Sequence, residues 1–223
     1  MIPLKDDNPT RRIPVVNLLL ILANVAVFVY QYLYLPEGPA FLIDRLGFIP
    51  GEVFALEDAP PLAPIPIPLT LVTSMFIHGG WLHVLGNMLY LFIFGDNIED
   101  RLGHGRYLAF YLACGLSAGL THGFLFAQSQ VPCVGASGAI AGVLAAYMCF
   151  YPRAKVSTLF IFFIFIRIVR LPAIVVLGIW IALQIASGIT ELSAQAGGVA
   201  WFAHIGGFGA GLLLALLIRP KRG

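Results

Sequence analysis

The chain has 223 residues, of which 59% are hydrophobic and 11% charged, and its mean hydropathy is +0.90. A water-soluble domain of this length needs a more polar surface, so the composition predicts an integral membrane protein. The formal net charge of +2 is too small to indicate nucleic acid as a partner. Cys114, Cys133 and Cys149 lack metal-ligand spacing and indicate neither a disulfide framework nor a zinc site.

Apolar segments recur along the chain and predict an all-α membrane protein, a bundle of six transmembrane helices. Gly79-Gly80 indicates where the regular part of the second helix begins. We expect a cytosolic tail over residues 1–12, one membrane domain over 13–218 and a basic cytosolic tail over 219–223. The six helices are placed near Ile13–Leu35, Leu69–Phe94, Arg106–Ala127, Ser137–Tyr151, Leu171–Ser187 and Trp201–Ile218.

Two connections stand out. Residues Pro36–Pro68 form a long first outer loop, in which Phe41–Phe48 is amphipathic and Pro60–Pro68 is rich in proline. These patterns predict an interfacial element followed by an extended stretch. The apolar stretch Leu159–Ile168 is too short to cross a bilayer, so we expect a re-entrant or interfacial lead into the fifth helix.

The basic residues give the predicted orientation. In a six-helix arrangement twelve of them fall on one side and only Arg45 falls on the other. Cytosolic loops are enriched in lysine and arginine, so both termini are expected in the cytosol. The small six-helix form suggests a bacterial inner membrane as the location. The twelve are Lys5, Arg11, Arg12, Arg101, Arg106, Arg153, Lys155, Arg167, Arg170, Arg219, Lys221 and Arg222.

Polar side chains stand at the outer ends of three predicted helices. With a cytosolic N-terminus, the second, fourth and sixth helices all run from outside to inside. The second carries His78, His83 and Asn87, the fourth begins at Ser137, and the sixth carries His204. Strongly polar residues inside a membrane are rare and usually functional, so their convergence at one depth predicts an active site.

Ser137 is the candidate nucleophile. It lies in the run Gly135-Ala-Ser-Gly138, and a helix from Ser137 to Tyr151 is about 22 Å long, against a hydrocarbon core of about 30 Å. The serine therefore lies below the outer surface. Free N–H groups at the helix start suit a developing oxyanion. The alternative is that Ser137 only caps its helix and that the glycines only permit close packing.

His204 is the candidate general base. Gly207 and Gly211 follow it at GxxxG spacing, which lets the sixth helix approach the fourth and bring His204 towards Ser137. The alternative is a histidine that only packs against a neighbouring helix. No carboxylate in the sequence is placed to orient His204 within the outer half of the membrane, so the expected chemistry is a Ser-His dyad.

His83 and Asn87 are four residues apart and share one helix face, where both side chains are able to donate hydrogen bonds to an oxyanion. His78, before Gly79-Gly80, is expected to make a structural bond to the first outer loop. We expect no metal and no cofactor.

The set His78-Gly-Gly-Trp-Leu-His83-Val-Leu-Gly-Asn87, Gly135-Ala-Ser137-Gly138 and Ala203-His204-Ile-Gly-Gly207 resembles the rhomboid intramembrane proteases in order and spacing. Gly95, Glu99 and Gly103 also look like the short inner turn of that family. The resemblance implies a rhomboid-like bundle in which Ser137 is the nucleophile and His204 its base. It further implies that His83, Asn87 and the Ser137 N–H form the oxyanion hole, and that transmembrane segments of other membrane proteins are the substrates.

The chain departs from some family members at two places. Leu69-Thr70 stands where they carry a Trp-Arg pair, and Ala141 stands where they carry a tyrosine beneath the catalytic histidine. Two rival functions remain open: a catalytically inactive relative that binds membrane clients, and a transporter or haem carrier that uses the histidines. A His-Glu-x-x-His metalloprotease signature is absent from the sequence.

Overall fold

The computed structural model describes residues 1–35, 38–55, 64–162, 165–194 and 199–218, and most of these are helical. A short 3₁₀ turn, Ile67–Leu69, precedes the helix Thr70–Thr73, and another, Ser74–Phe76, follows it. The predicted tail over 219–223 and part of the proline-rich stretch lie outside the described residues. The helices are α1 (Val15–Leu33), α2 (Ala40–Leu46), α3 (Pro50–Ala55), α4 (Thr70–Thr73), α5 (Trp81–Leu102), α6 (His104–Leu125), α7 (Ser137–Phe150), α8 (Ala173–Ala194) and α9 (Trp201–Ile218).

Four of these helices are long and apolar enough to cross a membrane, namely α1, α6, α8 up to Glu191, and α9. A fifth candidate is α5 taken with the segment Ile67–Phe76, although the two are bent by 80°. The bend confirms the prediction that regular helix begins after Gly79-Gly80, since Gly80 is the N-cap of α5. The remaining apolar helix, α7, has 14 residues and is shorter than a typical membrane span.

A three-stranded sheet corrects the expectation of an all-α protein. The strands are β1 (Ile2–Asp6), β2 (Lys155–Phe162) and β3 (Phe165–Pro172), paired antiparallel in that order. The stretch Leu159–Ile168, expected as a re-entrant or interfacial lead into the fifth helix, belongs to β2 and β3 apart from residues 163–164, and its position relative to a membrane stays a prediction. Val156 and Thr158, which lie on one face of β2, are fully buried.

The sheet is fastened to the helices through its N-terminal strand. The Tyr147 hydroxyl of α7 donates a hydrogen bond to the Asp6 carboxylate, and Asn97 of α5 donates to the same carboxylate over 3.4 Å. Burial raises the pKa of Asp6 above its ordinary value. Part of the segment expected as a short cytosolic tail, Ile2–Asp6, is thus a strand attached to two helices of the bundle.

The centre of the bundle is α7, whose residues from Gly138 to Tyr147 are all buried. It packs closely against α9 through facing glycines. A Cβ atom on Gly207 would lie 2.0 Å from the Gly138 carbonyl oxygen, and one on Gly211 would lie 2.3 Å from that of Gly142. These approaches leave no room for a side chain, so glycine at these positions sets the distance between the two helices.

The turn between α5 and α6 differs in detail from the expectation. Gly95 and Glu99 lie within α5, and only Gly103, with φ of 80°, lies between the two helices. The buried Glu99 carboxylate accepts hydrogen bonds from the backbone N–H groups of Val16 and Asn17, 2.9 and 2.7 Å away. It thereby satisfies free donors at the start of α1 and joins α1 to α5.

Candidate active site

The Ser137 hydroxyl and Nε2 of His204 are 2.8 Å apart. Ser137 is the first residue of α7, and its side chain makes no capping bond, because Ala136 is the N-cap residue. His204 lies one turn into α9, is buried, and faces Ser137 across the glycine contact between the two helices. The distance is within the range in which a histidine takes a proton from a serine hydroxyl.

Gly135 forms the wall beside the serine. Its φ of +121° is a conformation that residues with a side chain rarely adopt. A Cβ atom there would lie 2.6 Å from Nε2 of His83 and 3.5 Å from Nδ2 of Asn87. Glycine at this position therefore keeps the backbone next to Ser137 close to both α5 side chains.

His83 has its donor directed towards this space. The backbone N–H of Gly79 donates to Nδ1 of His83 over 3.4 Å. In the neutral ring that leaves the proton on Nε2, the nitrogen that lies beside Gly135. Nε2 of His83 is therefore a hydrogen-bond donor close to Ser137.

His78 lies behind Asn87. It is fully buried, and its Nε2 is 2.9 Å from Nδ2 of Asn87. The amide of Asn87 donates this bond with one hydrogen and keeps its other hydrogen for a further partner. The main-chain carbonyl of His78 accepts a bond from Gln31 of α1, which also donates to Pro39 in the first outer loop.

Gln184 in α8 is a site residue that the sequence reasoning missed. Its Oε1 is 2.8 Å from Nδ1 of His204, on the side of the ring opposite Ser137. The ring of Trp180, one turn earlier on α8, lies 5.8 Å from that of His204, and Trp201 meets it edge to face at 6.2 Å. The signal was present, since a polar side chain within an apolar span is itself unusual.

A cavity of about 1550 Å³ opens over these groups. Its lining includes Ser137, His204, His83, Asn87 and Gln184, together with most residues of the connection between α6 and α7. The cavity opens at the end of the bundle where α5, α7 and α9 begin. In the described part of the chain, no cluster of histidine, cysteine and carboxylate side chains has the arrangement of a metal site.

The family model described as the Rhomboid domain matches residues 68–221, which is more than half of the chain. The chain belongs to the rhomboid family. It is therefore an integral membrane protein of a family that acts on membrane-protein substrates within the bilayer.

The rhomboid relatives of this chain include proteins of a plant and of a bacterium. RHOMBOID-like protein 4 of Arabidopsis thaliana is 36% identical over 69% of this chain and 35% of its own length. RHOMBOID-like protein 1 of the same plant is 29% identical over 92% of this chain and 54% of its own length. Rhomboid protease GluP of Bacillus subtilis is 34% identical over 69% of this chain and 27% of its own length. The chain thus spans between about a quarter and half of the length of these rhomboid relatives.

Proposed function

We propose that this rhomboid protein is an intramembrane serine endopeptidase that cleaves transmembrane segments of other membrane proteins with Ser137 and His204. The observation that carries the proposal is the 2.8 Å contact between the Ser137 hydroxyl and Nε2 of His204. One relative, Rhomboid protease GluP, is named as a protease.

The reaction proceeds in two halves. His204 takes the hydroxyl proton as the Ser137 oxygen attacks the peptide carbonyl, and it then gives that proton to the leaving amine. The acyl group is now bound to Ser137. A water molecule entering through the cavity loses a proton to His204 and hydrolyses the ester, which restores the serine and releases the new carboxylate.

The negative charge on the carbonyl oxygen needs donors that are in place before the reaction. The proposed donors are the Ser137 backbone N–H, Nε2 of His83 and the free hydrogen of Asn87. The two side chains lie beside Gly135, which is two residues before Ser137. In other hydrolases, removal of one such donor lowers kcat by about a hundred- to a thousand-fold. The hydrogen bond that Asn87 donates to His78 holds the amide in the donating orientation.

The proposed topology has six spans, with α5 and the short α7 added to the four long apolar helices. The start of α7 then lies below the outer surface, and both termini lie on the cytosolic side with most of the basic residues. Arg45→Cys and Arg101→Cys, each in a chain without other cysteines, test this. We expect an impermeant thiol reagent to label residue 45 from outside and residue 101 only after permeabilisation. The bacterial inner membrane stays a prediction.

The proposed substrates are helices that enter from the lipid side past α8 and unwind locally at Ser137. The peptide bonds of a stable helix are shielded by its own hydrogen bonds, so glycine or proline near the outer interface favours cleavage. Equal cleavage of a poly-leucine segment and of the same segment with a central glycine pair would contradict this substrate preference.

The deciding experiment compares the purified protein with Ser137→Ala and His204→Ala in liposomes that contain a single-pass model substrate. Cleavage and fluorophosphonate labelling in the wild type, lost in both folded variants, are the expected results. The alternative function is binding of membrane clients without cleavage. It predicts that the wild type retains the substrate in a co-purified complex but neither cleaves it nor reacts with the probe.

A further inference from the structure

Gln184 is buried on α8, the helix that lies between the site and the proposed entry route, and its side chain contacts His204. The role derived for it here rests on the proposed function. Among the described residues, no salt bridge joins a carboxylate to His204. The Nδ1 atom of His204 is bonded instead to the neutral amide of Gln184.

The orientation of the Gln184 amide follows from its second bond. Its Nε2 donates to the backbone carbonyl of Trp180 over 3.2 Å, which turns Oε1 towards His204. A carbonyl oxygen only accepts hydrogen bonds, so Nδ1 of His204 carries the proton. In the neutral ring Nε2 is then the acceptor, and that nitrogen faces the Ser137 hydroxyl. This tautomer is the one that a general base requires.

Two tryptophan side chains also contact the ring of His204. Trp180 and Trp201 pack around His204. We propose that Gln184, aided by Trp180, is a positioning residue that fixes the tautomer and rotation of His204. The proton from Ser137 moves only to Nε2, while the Nδ1 proton stays on His204 and remains bonded to Gln184 throughout the reaction.

Three variants test this assignment. Gln184→Met keeps the length of the side chain and removes the acceptor, whereas Gln184→Glu keeps an acceptor oxygen. Leu183→Met is the matched control, because Leu183 is the preceding residue on α8 and is 57% exposed on its outer face. We expect Gln184→Met to lower kcat and the fluorophosphonate labelling rate by about tenfold or more, which corresponds to about 1.4 kcal/mol. KM should change by much less.

The conservative variant separates positioning from a structural role. We expect Gln184→Glu to keep more of the labelling rate than Gln184→Met, and Leu183→Met to match the wild type. A Gln184→Met protein that cleaves at the wild-type rate would overturn the proposal. So would equal losses in Gln184→Met and Gln184→Glu that merely follow a lower unfolding temperature.

A spectroscopic arm does not depend on activity. In protein carrying ¹⁵N-histidine and Ser137→Ala, the His204 signals report which ring nitrogen holds the proton, with His204→Ala giving the assignment. We expect a single Nδ1–H tautomer, and a mixture after Gln184→Met. Absence of cleavage and labelling in the wild type would count against the proposed function alone, whereas a mixed tautomer with Gln184 intact would overturn the positioning role.

Discussion

The side-chain amide of Gln31 donates a hydrogen bond to the backbone carbonyl of His78 over 3.0 Å. The same nitrogen donates to the carbonyl of Pro39 over 3.1 Å. One buried glutamine near the end of α1 therefore joins the start of the first outer loop to the turn that precedes α5. The two bonds hold the loop and the turn against α1.

Replacing Gln31 by leucine should destabilise the protein and lower its activity. The carbonyls of Pro39 and His78 lose a donor, which costs about 1–3 kcal/mol when such groups stay buried. The His78 ring also orients Asn87, so cleavage should slow. Thermal unfolding in detergent and substrate cleavage measure the two effects. Tyr32→Phe is the control, because the Tyr32 hydroxyl bonds the neighbouring Gly79 carbonyl at an exposed position; an equal loss there would contradict the special role of Gln31.

Adding one methyl group to α9 should separate the dyad. Gly207→Ala places a Cβ atom 2.0 Å from the Gly138 carbonyl oxygen, so α7 and α9 must move apart. We expect a loss of about 1–3 kcal/mol in stability and slower fluorophosphonate labelling, because the distance from Ser137 to His204 grows. Gly209→Ala is the matched control, since a Cβ there meets nothing within 4 Å. Equal labelling by the two variants would argue against glycine setting the helix separation.

Stability should fall as the pH rises through the pKa of Asp6. Burial raises that pKa, so the folded chain holds the proton more tightly than the unfolded chain does. The stabilisation is complete below the ordinary value and is lost as the pH rises through the raised one. Asp6→Asn carries no charge at any pH, so its unfolding temperature should drop less between pH 4 and pH 7. An unchanged drop would show that the Asp6 carboxylate is not the titrating group.

Cys133, in the connection between α6 and α7, should react slowly with alkylating reagents. Burial, and secondarily the charge of Glu191, raise the pKa of its thiol to about 12. Only the thiolate reacts, so labelling at pH 8 should be about a thousand-fold slower than for an ordinary thiol. A Cys114→Ala, Cys149→Ala protein leaves this thiol alone for mass spectrometry with iodoacetamide. The same protein in denaturant is the reference, and equal rates in the two states would refute the prediction.

The helices were largely predictable, because an apolar stretch of membrane length leaves few alternatives. The last helix runs from Trp201 to Ile218, as predicted, and α7, the fourth of the six predicted helices, begins at Ser137. Both the glycine spacing and the polar residues at the helix starts are local in sequence. They were therefore sufficient to select Ser137 and His204 as a pair before their distance was known.

The sheet and Gln184 were not predicted, for different reasons. Ile2 pairs with Leu159, and no local pattern identifies a partner so far along the chain. Gln184 does carry a local signal, because a buried amide in an apolar span needs a partner. The rule that selects His204 applies equally to Gln184, but a glutamine side chain is neither a nucleophile nor a proton carrier, so its residue type does not indicate a catalytic site. Its role depends on the distance to His204, which only the fold reveals.

The pairing of β1 with β2 also imposes an order on biosynthesis. The strand Ile2–Asp6 leaves the ribosome before its partner Lys155–Phe162, which emerges only after α1, α5, α6 and α7 have been made. The pairing of β1 with β2 therefore forms only after those helices have been synthesised. The sheet and the hydrogen bond from Tyr147 to Asp6 thus form only once α7, the helix that carries Ser137, has been made.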